Sequence, residues 1–205
     1  PGTPPAVTTD NATGITTSSA ILNATLTNKG TADNVTVSFE WGLTDNYTST
    51  TPPVSTNVTG PFSFTLSSLS PNTTYHFRAK AVGHGTSYGL DGTFTTLPLP
   101  PAVTTDNATS ITYNSVTLNG TLTGKGTAEN VTVSFQWGLS VNYTDETPPV
   151  STNATGPFSF TLSSLSSNTT YHFRAKAVGH GTSYGSDKTF TTAIGRANVN
   201  ISVVL

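Results

Sequence analysis

Neither cysteine nor methionine occurs among the 205 residues. Without cysteine no disulfide staples the fold and no thiolate is available as nucleophile or metal ligand. Stability must come from burial and hydrogen bonding alone. Charge is scarce too: Asp, Glu, Lys and Arg make up 9% of the chain, with a formal net charge of −2. A nucleic-acid partner needs a clustered basic face to neutralise phosphate, and none is present. No apolar run is long enough to span a bilayer, and the start lacks the basic-then-apolar plan of a signal peptide. With no initiating Met, the chain reads as a processed or excerpted segment.

What replaces charge is hydroxyl. Ser and Thr number 66 of the 205 residues. A surface wet by hydroxyls and Asn, in place of Lys and Glu, suits an extracellular or cell-surface protein carrying sugar. The dominant pattern is a repeat with an offset of 96: residues 5–96 and 101–192 align without a gap, with 75 of 92 positions identical. Trp41 maps to Trp137 and Tyr75 to Tyr171. The expected organisation is domain 1 over residues 1–96 with a Pro-rich N-terminal arm, and domain 2 over residues 101–192. A stiff Pro-rich linker, residues 97–100, would join them, and residues 193–205 would form a C-terminal strand.

Within each repeat the apolar period is two, which predicts strands. Val35, Val37, Phe39 and Trp41 share one parity; so do Phe62, Phe64 and Leu66, and Tyr75, Phe77, Ala79 and Ala81. In the second copy Val116, Leu118, Gly120 and Leu122 point inward by the same rule. No segment sustains a helical period. About seven short strands per ~95 residues, broken by Gly, Pro and Asn, predict a β-sandwich. The passage LSPNTTYHFRAKAV, residues 69–82, resembles the E-to-F corner of fibronectin type III modules. That resemblance implies an all-β chain of two tandem fibronectin-III/Ig-like sandwiches, with Tyr75 and Tyr171 tying a tyrosine corner. It departs from many family members in carrying Trp in the FEWG strand rather than on strand B. The family serves mainly as spacer, adhesion and scaffold, so fold alone does not give function.

The stretch VGHGTSYG contains Gly-x-Ser-x-Gly at Gly85, Ser87 and Gly89, beside His84. A nucleophile elbow needs a strand before it, a helix after it and a later His. Here LDGTFTT follows, a strand pattern, and the first repeat has no later His. A hairpin turn is the better reading, and the chain is expected not to be an enzyme. His76, His84 and their copies His172 and His180 lack the paired carboxylates of a zinc site, so no metal or other cofactor is expected. His76, Arg78 and Lys80 line an outward stripe that reads as a solvated strand face.

Asn-x-Ser/Thr sequons carry the chemistry. They claim 13 of 16 asparagines: Asn11, Asn23, Asn34, Asn46, Asn57, Asn72, Asn107, Asn119, Asn130, Asn142, Asn153, Asn168 and Asn200. Asn23-Ala-Thr and Asn119-Gly-Thr differ in the middle yet keep both ends, as do Asn57-Val-Thr and Asn153-Ala-Thr. All lie on outward parities or in turns, where attached sugar can leave into water. Covalent N-linked glycans are therefore expected. None has an acidic residue two positions before Asn, which favours an archaeal or eukaryotic type of transferase.

At the C-terminal end, Val199, Ile201, Val203 and Leu205 form an alternating apolar stripe. An isolated strand is not stable alone. It can fold back on domain 2, open a further domain, or add to the sheet of another subunit. The last is head-to-tail, and such contacts propagate into filaments when the rotation does not close. The head, PGTPPAV, is a second candidate arm. The sequence thus predicts a glycosylated structural subunit of an extracellular filament, pilus or surface layer, its main partner a second copy of itself. The alternative is a spacer or a module binding cell-surface glycans, excised from a larger secreted protein.

Overall fold

The computed structural model describes residues 2–195. The chain divides into two units between Pro98 and Leu99. Every regular element described is a strand, and the chain forms two tandem β-sandwiches.

Unit 1 contains β1 (Ala6–Thr13), β2 (Ala20–Asn28), β3 (Val35–Gly42), β4 (Ser49–Thr50), β5 (Val54–Thr56), β6 (Gly60–Leu66), β7 (Thr74–Gly83), β8 (Gly85–Tyr88) and β9 (Gly92–Thr95). One sheet runs β1-β2-β6. The other centres on β3 and β7: β4 and β5 both pair with β3, and β8 and β9 both pair with β7. All pairs are antiparallel. Nine strands therefore occupy seven positions, because two of the positions are interrupted. Pro52 and Pro53 separate β4 from β5, where a residue without an N–H cannot continue a ladder. Gly89 separates β8 from β9, and its backbone passes so close to β1 that a Cβ would collide with Thr9.

Unit 2 repeats the plan with β10 (Ala102–Thr105), β11 (Val116–Gly124), β12 (Val131–Gly138), β13 (Asp145–Glu146), β14 (Val150–Thr152), β15 (Gly156–Leu162), β16 (Thr170–Gly179), β17 (Gly181–Tyr184) and β18 (Lys188–Thr191). Its sheets are β10-β11-β15 and a second one built on β12 and β16.

Alternation decides which side chains enter the core. Leu22 and Leu26 from β2, Val35, Val37 and Phe39 from β3, and Tyr75, Phe77, Ala79 and Ala81 from β7 are buried, as their parity predicts. Trp41, Phe62 and Phe64 pack on this core but are only partly buried. The reason is position: β6 is an edge strand, and Trp41 lies at the end of β3 against Tyr75 at 5.9 Å. The core of unit 2 splits into two clusters, with Gly120 standing where unit 1 has the buried Ala24.

The corner before β7 is closed by a side chain. Ser70 N–H donates to the Tyr75 hydroxyl oxygen at 3.0 Å, and Ser166 N–H to that of Tyr171 at the same distance. The buried Thr96 hydroxyl donates to the Ser70 carbonyl at 2.6 Å, and Thr192 repeats the bond at 2.7 Å.

Two proline-rich segments are fastened by hydrogen bonds. The proline-rich head does not project as an arm: Thr31 N–H donates to the Thr3 carbonyl at 3.1 Å, and Thr3 N–H to Thr31 Oγ1 at 2.9 Å. The joint over residues 97–100 is flanked by hydrogen bonds on both sides. Leu97 N–H bonds the Thr16 carbonyl in unit 1, while the Leu99 carbonyl accepts from Thr127 N–H in unit 2. Leu99 thus fills in unit 2 the place that Thr3 fills in unit 1. Ala193 belongs to unit 2 as well, through its N–H to the Thr112 carbonyl at 2.9 Å. Beyond Gly195, the proposed strand residues Val199, Ile201, Val203 and Leu205 and the sequon Asn200 lie outside the described residues.

Candidate functional site

Twelve sequon asparagines fall among the described residues, and none is in a core. Asn11, Asn34, Asn46, Asn57 and Asn72 are exposed, as are Asn107, Asn130, Asn142, Asn153 and Asn168. Asn72 and Asn168 sit in the left-handed region, at φ 49° and 50°, a conformation Asn tolerates better than most residues.

Asn23 and Asn119 differ. Both are half-buried on their strands. Asn23 Nδ2 donates to the Asn11 carbonyl at 2.8 Å and to Thr13 Oγ1 at 3.0 Å. Asn119 makes the same bonds to Asn107 and Thr109 at the same distances. The amide nitrogen that would carry sugar is here fastening β1 to β2. Sequence parity identified these side chains as outward, but it could not show that the facing strand had recruited their donors.

The second concentration of polar chemistry lies on the outer face of the β3–β7 sheet. Cross-strand register places Glu40 opposite Arg78. Arg78 donates to Glu40 Oε2 through Nε at 3.0 Å and Nη2 at 2.8 Å, and Lys80 Nζ reaches Glu40 Oε1 at 2.9 Å. The guanidinium lies between two rings, 4.4 Å from the centre of Tyr47 and 4.0 Å from that of Tyr88. Such cation–π contacts are worth about 0.5–1 kcal/mol each at exposed sites. Tyr47 O–H donates to Asp91 Oδ1 at 2.7 Å, and His76 Nδ1 meets Asp91 Oδ2 at 2.9 Å.

Electrostatics follow from these partners. Burial pushes the Glu40 carboxyl up, but hydrogen bonds from Lys80 and Arg78 outweigh it and hold the group below its ordinary value. Hydrogen bonding to Glu40 raises Lys80. Burial and the bond to Asp91 push the Tyr47 hydroxyl up to about 12, and the same causes with Asp187 push Tyr143 to about 12.

Unit 2 builds this face differently. Gln136 replaces Glu40, and its Oε1 accepts both Arg174 bonds, at 3.0 and 2.8 Å. The missing carboxylate reappears on the neighbouring strand as Glu146, where unit 1 has Thr50; Lys176 Nζ bonds it at 3.0 and 2.9 Å. Burial again raises the Glu146 carboxyl, and bonds from Lys176, Ser134 and Gln136 outweigh it. The outward His76, Arg78 and Lys80 stripe is thus neutralised by the protein's own acids. Glu40 was legible as an outward residue of β3; its pairing with Arg78 needed the register, and Tyr47 and Asp91 reach the site from loops.

Ser87 and His84 do not meet as nucleophile and base. Ser87 Oγ donates to the Pro5 carbonyl at 2.6 Å, and His84 Nδ1 pairs with Thr31 Oγ1 at 2.7 Å. The first bond pins the N-terminal segment, and the second the β2–β3 loop, to the β7–β8 hairpin, whose turn uses Gly85 at φ 133°. Among the described residues no group of three or more His, Cys, Asp or Glu is placed to hold a metal, and no helix is long and apolar enough to cross a membrane.

No protein-family model matches the chain, and no curated protein matches it. Among solved structures it is similar to the sensor domain of the anti-sigma factor RsgI4 from Pseudobacteroides cellulosolvens. A shorter form of that domain has TM-score 0.40 and 22% identity, over 46% of this chain and 96% of the other. A longer form has TM-score 0.38 and 22% identity, over 51% and 99%. The solution structure gives 0.39 and 20%, over 51% and 91%. Likeness of this extent leaves the functional reading to the chain's own residues.

Proposed function

We propose that this chain is a secreted, N-glycosylated, non-enzymatic structural module of the fibronectin type III kind. Its task is to serve as subunit or repeating segment of an extracellular filament, pilus or surface layer. The observation that carries the reading is the placement of the acceptors: ten of the twelve described sequon asparagines are exposed, and they are distributed over both units. Sugar on these sites would supply the solubility that 9% charge does not. It would also keep the edges of neighbouring sandwiches apart. Head-to-tail assembly then falls to the alternating stripe Val199, Ile201, Val203 and Leu205, the candidate donor for strand addition, whose one sequon, Asn200, is on the opposite parity.

Imaging of the native material together with intact mass before and after deglycosylation tests the reading. Filaments built of glycosylated chains are expected. A bare polypeptide that stays monomeric would refute it. A second reading, an adhesion module for cell-surface glycans, draws support from the exposed aromatic Tyr88 beside Arg78 on the outer sheet face. Glycan-array binding lost in Tyr88→Ala, from a protein that remains monomeric, would favour it.

A further inference from the structure

The two sheets of unit 1 do not close on one side. There the edge strand β5 of one sheet faces the edge strand β6 of the other, and among the described residues neither pairs with a second strand. The gap is an open groove in two continuous parts, of about 270 and 110 Å³, both lined by Val37, Val54 and Phe62. Val54 is 60% exposed and Val58, in the turn into β6, 66%. Phe62 and Phe64 face the groove half-buried, where every other position of β6 would be expected to enter a core.

We infer that this groove is the acceptor for the stripe Val199, Ile201, Val203 and Leu205 of a second copy, which adds as a strand beside β6 and closes the sandwich. The inference rests on the filament reading and says where the donor goes. Length agrees: residues 199–205 and Gly60–Leu66 both number seven, about 20 Å of extended chain. Pattern agrees as well. The stripe offers four apolar side chains on one parity for the Val54–Phe62 cleft. The opposite parity carries Asn200, Ser202 and Val204, so sugar at Asn200 would point to solvent. Residues 197–205 bear no charged side chain, which matches a groove whose walls are apolar.

Unit 2 has a similar groove between β14 and β15, of about 290 and 90 Å³. Its turn into β15 carries Ala154 where unit 1 has the exposed Val58. Val58 is 66% exposed and lines the groove, so it adds an apolar side chain that a donor strand would cover. Unit 1 is therefore the preferred acceptor.

A chain without cysteine allows a clean cross-linking test. Full-length Ser63→Cys is mixed with differently tagged full-length Ser202→Cys or Val204→Cys under oxidising conditions. Ser63 lies on the outer parity of β6, and the two tail positions bracket the register. Disulfide-linked mixed dimers are expected, with yield falling at least about tenfold when the acceptor also carries Val54→Glu, because burying an unpaired charge costs more than one decade of affinity. Val150→Glu in unit 2 should leave the yield unchanged. A link forming instead within single chains between Ser159→Cys and the tail cysteine would overturn the proposal, since the strand would then close its own unit 2. Absence of any link while the native protein still forms filaments would overturn the groove assignment and leave the filament reading standing. Native material that is monomeric throughout would remove both.

Discussion

Glu40 on β3 takes three hydrogen bonds from two cations on β7: two from Arg78 and one from Lys80. Unit 2 divides that work, with Gln136 holding Arg174 and Glu146 holding Lys176. The two units thus offer one solution in two arrangements, and each tests the other. Glu40→Gln in unit 1 should lower stability by about 1 kcal/mol, since Lys80 loses its acid in a partly buried pair. Adding Thr50→Glu, which recreates the arrangement of Glu146, should recover most of the loss. Denaturant midpoints of the single and double variants of the full chain check this.

The same acids set a limit at low pH. A carboxyl held below its ordinary value contributes stability that is present above its unfolded value, near 4.5, and lost as pH falls through the lowered folded value. Both Glu40 and Glu146 are shifted this way. The midpoint of chemical unfolding should therefore stay level from pH 7 to about 5 and drop below 4.5. Replacing both acids by Gln should flatten the drop, while lowering the plateau.

At high pH the sign reverses, because the groups concerned are tyrosines kept neutral. Tyr47 and Tyr143, pushed from 10 to about 12, contribute stability that is lost as pH rises from 10 towards 12. Phenolate absorbance should show a late-ionising component that is lost in Tyr47→Phe/Tyr143→Phe. Ordinary ionisation of all seven tyrosines in the native protein would contradict the Asp91 and Asp187 bonds.

Periodicity made the sandwich legible, because side chains that alternate in and out leave their parity in the sequence. Val35, Val37 and Phe39 are buried for that reason, and so are Tyr75 and Phe77. It did not reveal which strands are edges. Phe62 and Phe64 have the same parity signature as core residues, yet β6 has a partner on one side only, which leaves both half-covered. Nor does composition distinguish a proline linker from a docked first segment. Pro5 lies against the β7–β8 hairpin because Ser87 and Thr31 donate to the segment that contains it, a relation across 82 and 28 residues. The exposure of ten sequon asparagines was legible from parity and turn composition. What stayed hidden at Asn23 was a hydrogen bond, not an orientation.

One difference between the repeats carries a strain. Gly14 adopts φ 57° in unit 1, and Ser110 takes the same turn at φ 50° in unit 2. A residue with a Cβ pays about 1 kcal/mol or more there, offset in part by the greater freedom glycine loses on folding. Ser110→Gly should stabilise unit 2 by about 0.5 kcal/mol, and Gly14→Ser should destabilise unit 1 by a similar amount. Opposite shifts of the thermal midpoint in the two variants are the expected result; shifts of the same sign would show that the turn is not what the substitution senses.

Occupancy of the acceptors should follow geometry rather than motif. A glycosylated asparagine keeps one of its two Nδ2 hydrogens, so Asn23 could not hold both the Asn11 carbonyl and Thr13 Oγ1 once modified. Leaving either acceptor without its donor on a half-buried strand costs about 1 kcal/mol. The exposed ten lose nothing of this kind. Site-by-site glycopeptide mapping of native material should therefore find sugar frequent at Asn34, Asn46, Asn57, Asn72 and their copies, and rare at Asn23 and Asn119. Sugar at Asn23 and Asn119 as frequent as elsewhere would mean that the transferase acts before these strands pair, and that they then close with at most one of the two bonds. Asn23→Ala separates the two cases: it should destabilise the bare chain by about 1 kcal/mol if the amide fastens β1 to β2, and leave the glycosylated chain unchanged if it does not.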